Sequence, residues 1–452
     1  PGPSRHDPVT EREVGVEVDG AEQRQGRLDV LGVIERARGR VLGPTTDRGI
    51  LFGGPVSTLD VLNQLTLTGT VRGGGSSGFA KTGPGTLVFA SGGSNILSGG
   101  AGPGFNVVQG TVVFDGNPSG GTQTNRNMGE LWVGGTTAYG ANMIISNSTL
   151  LADTWVGIGR GNGSIGNLST LTLEDGRLIL AANGLAMGYQ PGYATNLARQ
   201  RLTLNGSSYI YLPGNLQIGE SVGSSAETYL NGTSWIRNAG VRLGMSASST
   251  GALYLANSAV ITNVGGYTSI GTGAGTLPGG GGVGTMVVKD NAAFYSTGDF
   301  NVSDTAYTYG SLTVQNNGFV SSGTLFVGKA NGSEGVLNLA GGTVAPGAWA
   351  SIGRYSGSLG TLNVSAGALV MTNTTTALIV GEEGQGTLNV SGTGLVLATN
   401  HLRIGNAAGA SGTVNLDGGT LVARRIYMNN ASAYSSFNFN GGTLRAGENA
   451  DP

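Results

Sequence analysis

Cysteine is absent from the chain, which excludes a disulfide framework and any thiolate metal site, and lets the chain pass through an oxidising compartment without mispairing. Charge is scarce as well: 11% of the 452 residues are Asp, Glu, Lys or Arg, and the net charge is −2. A balance so close to neutral gives no electrostatic drive towards nucleic acid or an anionic membrane surface, and neither is expected as a partner. Two histidines are too few for a convergent imidazole site, so no metal and no cofactor is expected. No run of about 18 apolar residues occurs, so no helix is expected to cross a membrane. The chain opens on Pro1 and not on Met, as a processed or excised segment would.

Glycine is what the chain has in abundance, 85 of 452 residues, yet without the period of three that a collagen needs. The 38% hydrophobic content falls in clean alternation, which separates the sequence from low-complexity disorder. Gly386 to Gly405, GTLNVSGTGLVLATNHLRIG, shows the arrangement. Leu388 and Val390 alternate with Thr387, Asn389 and Ser391 as a half-buried strand requires; a Gly corner follows, then a second strand at Leu395 and Leu397 and a third at Leu402 and Ile404.

The same rung recurs. The residue between the two inward positions of the first strand runs Val88, Val113, Ile144, Thr172, Thr203, Tyr229, Tyr254, Val287, Thr313, Asn338, Asn363, Asn389, Asn415 and Asn438, at steps of 23 to 33 residues. Six residues further on, a mostly apolar column (Leu178, Tyr209, Trp235, Val260, Ala293, Phe319, Val344, Leu369, Leu395, Leu421, Leu444) is expected to look inward. A third column ends in Gly, as at Val133-Gly134, Met187-Gly188, Ile270-Gly271 and Ile404-Gly405. Three columns in step at such a period mark a solenoid. The expected fold is therefore all-β: a single-chain right-handed parallel β-helix with three short strands per rung and 14 to 15 rungs of roughly 25 residues. Leu388, Val390, Leu395, Leu402 and Ile404 are expected to be buried, and Asn338 to Asn438 to form one outward amide ladder.

Residues 1 to 48 read differently. They hold 17 of the 50 acidic and basic residues and His6, with almost no Ser, Thr or Asn. Val14, Val16 and Val18 alternate as a strand, and Leu28 to Arg40 reads better as strand than as helix. This segment is expected to cap the solenoid or to dock between subunits, leaving the solenoid at 49 to 452, with looped, irregular rungs to 310 and uniform ones from 311 to 447. Projecting loops are expected at Asn117 to Gly129, at Tyr189 to Arg201 and at Gly271 to Gly284, the last a plain flexible loop that is neither a phosphate loop nor a calcium repeat.

Residues 81 to 116 carry Lys81-Thr82-Gly83, Gly85-Thr86-Leu87 and Gly110-Thr111-Val112. At these positions the sequence resembles the autotransporter-associated β-strand repeat, with Phe89 in place of an aliphatic residue and Ile96-Leu97 where Thr-Tyr is common. The close match covers about 36 residues, and the later GTLNVS and GGTL phrases share its style. The resemblance implies a right-handed β-helix of the secreted or surface-displayed bacterial kind, hence an extracellular or cell-surface location, and no single activity.

Chemistry is hard to find. The rung aspartates Asp153, Asp175, Asp290, Asp299, Asp304 and Asp417 fall at different phases, so no carboxylate pair is expected on adjacent rungs. Glu382 and Glu383 read as solvated turn charge, and His401 with Arg403 as an exposed pair lacking the clustered aspartates a glycan-cleaving β-helix needs. No catalytic residue is expected. Tyr229 and Tyr254, outward on consecutive rungs, are the candidates for stacking on a sugar. The expected function is a non-enzymatic structural or adhesive solenoid; the alternative is a secreted carbohydrate-binding or carbohydrate-cleaving β-helix or an autotransporter passenger fragment. Phe437, Phe439 and Leu444 stand in inward phase on the last rung, and together with Val14, Val16 and Val18 they are the expected contacts of a head-to-tail homopolymer, with surface glycans as a further partner.

Overall fold

The computed structural model describes residues 27–30, 45–46, 49–52, 56–73, 78–90, 94–98, 104–117, 123–134, 139–161, 167–190, 195–429 and 434–447. Val14, Val16 and Val18 lie outside them. Among the described residues the chain is all strand, with no α-helix: a parallel β-solenoid of about 14 turns with rungs about 26 residues apart. Each strand pairs in parallel with the equivalent strand of the next rung, so the three strands of a rung build three faces.

Alternation sets the first face. In Gln385–Val390 burial runs exposed, buried, intermediate, buried, intermediate, buried, so Leu388 and Val390 point inward and Thr387 and Asn389 outward. Register follows the sequence column throughout, from Val88 opposite Val113 to Asn415 opposite Asn438. It reaches further back than the sequence suggested, to Val88 opposite Thr66 and Thr66 opposite Thr45. Arg27–Val30, within the charged segment, also joins the stack by pairing with Gly49–Phe52. The outward asparagines form the expected ladder: the Nδ2 of Asn363, Asn389, Asn415 and Asn438 each donates to the Oδ1 one rung back, at 2.9, 2.8, 2.8 and 2.7 Å. Inside, leucine, valine and isoleucine fill one continuous core, and at one end phenylalanines stack along it, Phe79 on Phe105 at 5.0 Å and Phe89 on Phe114 at 4.9 Å.

The second face corrects the sequence reading. Tyr209, Trp235, Val260, Phe319 and Leu395 point outward, and their successors Ile210, Ile236, Ile261, Val320 and Val396 are the buried ones. The cause is corner length. Leu178, Val344, Leu369 and Leu421 do lie six residues beyond the marker and are buried, but rungs with a longer corner, such as Ser391 to Gly394, place the inward residue seven beyond. Because a strand alternates with period two, one extra residue exchanges its faces.

Corners are held by backbone geometry and by one buried cation. After the third strand the chain turns at a glycine with φ near +70°, as at Gly328 (φ 68) and Gly353 (φ 72), whereas Ser303 (φ 67) takes the same slot on the rung before Gly328. Lys81, the first residue of the KTG phrase, is fully buried, and its Nζ donates to the carbonyls of Gly83, Gly85 and Gln109 at 2.6, 2.5 and 2.8 Å. Burial pushes its pKa down to about 8, against a smaller upward pull from Asp60. The lysine of the phrase is thus a staple across two rungs.

Candidate functional site

The third face carries most of the chain's side-chain chemistry. Its strands are short, and several, such as Leu131–Val133 and Ala350–Ile352, are buried at every residue. The residue after the corner glycine covers them. Backbone bonds place Asp304, Lys329, Arg354, Glu382 and Asn406 in that position on five consecutive rungs, each N–H donating to the carbonyl of the corner residue one rung back. Arg160, Tyr189, Glu220, Met245 and Thr272 hold it on the rungs before.

Near its start the column is aromatic and cationic. The guanidinium of Arg160 lies 4.6 Å from the Trp132 ring centre, and Trp132 stacks with Tyr189 at 5.6 Å. Glu130 Oε2 accepts from both Trp132 Nε1 (2.8 Å) and Arg160 Nη1 (3.0 Å). The Trp132 ring extends over Gly157 of the following rung, where a Cβ would collide with it. Further along, Asp304 Oδ1 accepts from Lys329 Nζ at 2.7 Å and its Oδ2 from Ser269 Oγ at 2.5 Å. Arg354 sits among three rings, 4.0 Å from Phe326, 4.6 Å from Trp349 and 4.6 Å from Tyr355.

Two carboxyls here are protonated more readily than usual. Glu220 is 5% exposed, its Oε2 has no hydrogen-bond partner, and burial pushes its pKa up to about 7. Burial also raises the pKa of Glu382, opposed by Ser351 and Arg354. Glu382 is therefore part of this wall and not the freely solvated turn charge expected from the sequence. The acids do share a column, but Asp304 and Glu382 stand three rungs apart, about 14 Å at the usual rung spacing, wider than the roughly 5 to 9.5 Å of a glycan-cleaving carboxylate pair.

His401 is half-buried against the Tyr427 ring, edge on at 5.0 Å, and its pKa is lowered by burial and by Arg403, Arg424 and Arg425. Asp417 bonds Asn440 at the corner between the first and second strands, away from the third strand that carries His401. Tyr229 and Tyr254 stack on each other at 4.9 Å and 13°, with Arg201 5.6 Å from the Tyr229 ring, so the ring faces meet one another along the rod and their edges point out. Phe437, Phe439 and Leu444 lie in register with the buried Val414, Leu416 and Leu421. Phe437 packs partly on the core, while Phe439 is 57% and Leu444 44% exposed. These three residues stand on the open side of the last described rung. The Gly271 to Gly284 loop is not free: Gly275 and Gly281 donate to Ala306 and Tyr307 of the next rung, and Gly273 to Gly244 of the one before. Parts of the loops at Asn117 to Gly129 and Tyr189 to Arg201 lie outside the described residues.

Sequence reading missed the covering column because its residues share a position and not a chemistry. The signal was there in the Gly-terminated third strand: reading one residue past each glycine lists the column. Comparison of the chain with protein-family models, with curated proteins and with solved structures returned no match in any of the three.

Proposed function

We propose that this chain is a non-enzymatic extracellular or surface-displayed β-solenoid with a structural or adhesive role. The observation that carries the reading is what its outward side chains do: they hold one another. The five asparagines bond in series, the two tyrosines stack, Asp304 is neutralised by Lys329, and Arg160 and Arg354 are enclosed by rings. Side chains engaged along the rod stiffen it and are not poised above it for a reacting group. Location outside the cell is supported by the resemblance at residues 81 to 116, and the cysteine-free composition permits it.

A screen of the purified protein against plant, algal and bacterial polysaccharides, scored for new reducing ends and unsaturated products, tests this. No turnover is expected, for the parent or for the Glu382→Ala and His401→Ala variants. Cleavage that disappears in either variant would overturn the reading and make the third face an active site.

A further inference from the structure

The first face carries a neutral grid over its last seven described rungs. Its two outward columns run from Thr285 and Val287 to Ser436 and Asn438 in parallel register. Every member is threonine, serine, asparagine or valine, and on three consecutive rungs a threonine (Thr361, Thr387, Thr413) stands beside an asparagine of the ladder. Charge stands only at the margins of these rungs, Glu334 where the strand begins and Lys289, Asp290 and Asp417 at the following corner. Nearer the other end the same column holds Arg201 and Glu227, ion-paired at 2.9 Å.

The ladder fixes the asparagines, and each inner amide spends one of its two N–H groups and one acceptor site along the rod. The second N–H points to a partner outside, and so do the hydroxyls of Thr361, Thr387 and Thr413, which bond no other described residue. These groups recur at about 4.8 Å from rung to rung and, two residues apart on the strand, at about 6.7 Å between columns. In hexagonal ice each O–H···O bond is about 2.75 Å, so tetrahedral geometry repeats like oxygens at about 4.5 Å along a row of a prism face and about 7.3 Å between rows. The two grids agree within about a tenth in each direction, and the drift of roughly 2 Å over six rung spacings is less than half a repeat.

Seven rungs and two columns cover about 34 Å by about 13 Å, roughly 450 Å². That is little more than half of the roughly 800 Å² per partner that a stable protein–protein interface takes, and a face without charge gives an ionic partner no attraction. A solid with a repeating surface needs neither a large patch nor charge: it meets every rung with the same group, and side chains already held by one another lose little freedom on binding. We infer that the first face from Thr285 to Asn438 is an ice-binding surface. The inference stands on this face alone and does not rest on the function proposed above.

Uptake of the whole protein into slowly growing ice, with osmometry of single crystals in its solution, tests it. The parent should enter the ice, facet the crystals and hold their growth below the melting point. Thr361→Lys and Thr387→Lys each set a hydrated charge in the grid and should lose all three effects while keeping the parent's circular dichroism and melting. Leu397→Lys, on the second face, should retain them. A parent that is rejected from ice and leaves crystals round and freely growing overturns the inference, as does uptake that survives both threonine variants. A parent that is rejected from ice yet held by crystalline cellulose or chitin, with that retention lost in Thr387→Lys, overturns it too and gives the grid to a polysaccharide.

Discussion

Glu220 shows at the scale of one residue how the rod tolerates an ionisable group without a partner. In the unfolded chain its carboxyl ionises near 4.5; in the fold, burial pushes that to about 7. The folded state therefore binds more protons at this carboxyl between those values, and the contribution of Glu220 to stability is greatest below pH 4.5 and is lost as pH rises to about 7. The loss is up to ~3 kcal/mol, from about 1.4 kcal/mol per pKa step. Glu220→Gln removes the ionisation, so the variant should match the parent at pH 4.5 and be more stable by up to that amount at pH 8. Denaturant unfolding at the two pH values measures it; equal stability of parent and variant at pH 8 would mean that the carboxyl reaches water. Lys81 is the opposite case, a buried charge satisfied by three carbonyls.

At the scale of the strand, the second face separates two substitutions that the sequence alone would treat alike. Val396→Asp puts a carboxylate into the core and should destabilise by several kcal/mol, whereas Leu395→Asp, one residue earlier and facing out, should cost no more than about 1 kcal/mol. Melting of the two variants decides it, and a Leu395→Asp variant that unfolds as readily as Val396→Asp would reverse the assigned phase. Position 395 also shows how far the sequence could be read. Residues on the first and third strands are legible because their spacing from the glycine corners barely changes, and Leu388, Val390, Leu402 and Ile404 are buried as that spacing predicts. The corner between first and second strands varies by one residue, and composition does not announce which length is used, so the six-residue spacing puts Tyr209, Trp235 and Leu395 on the wrong side. The covering column of the third face was obscured differently: Arg160, Tyr189, Glu220 and Met245 share a place and no property, and periodicity detects only shared properties.

For the whole molecule, the pairing scheme makes stability a local quantity. Each rung touches only its neighbours, so damage to one rung spreads by opening adjacent ones and need not reach the other end. Leu388→Asp should accordingly raise amide hydrogen exchange in the rungs flanking Gln385–Val390 while leaving protection around Leu171, Leu202 and Leu253 as in the parent. Mass-spectrometric exchange reads this peptide by peptide; a uniform rise along the chain would show a single cooperative unit.

The asparagine ladder gives the rod a chemistry of ageing. Each inner amide, of Asn363, Asn389 and Asn415, both donates to the rung before and accepts from the rung after, so hydrolysis of one of these side chains to a carboxylate has unequal effects on its two sides. At Asn389 the acceptor for Asn415 would survive and grow stronger, while the donor to Asn363 would be lost and replaced by oxygen facing oxygen. A single deamidation would loosen the joint on one side only, and the side is fixed by the direction in which the amides point.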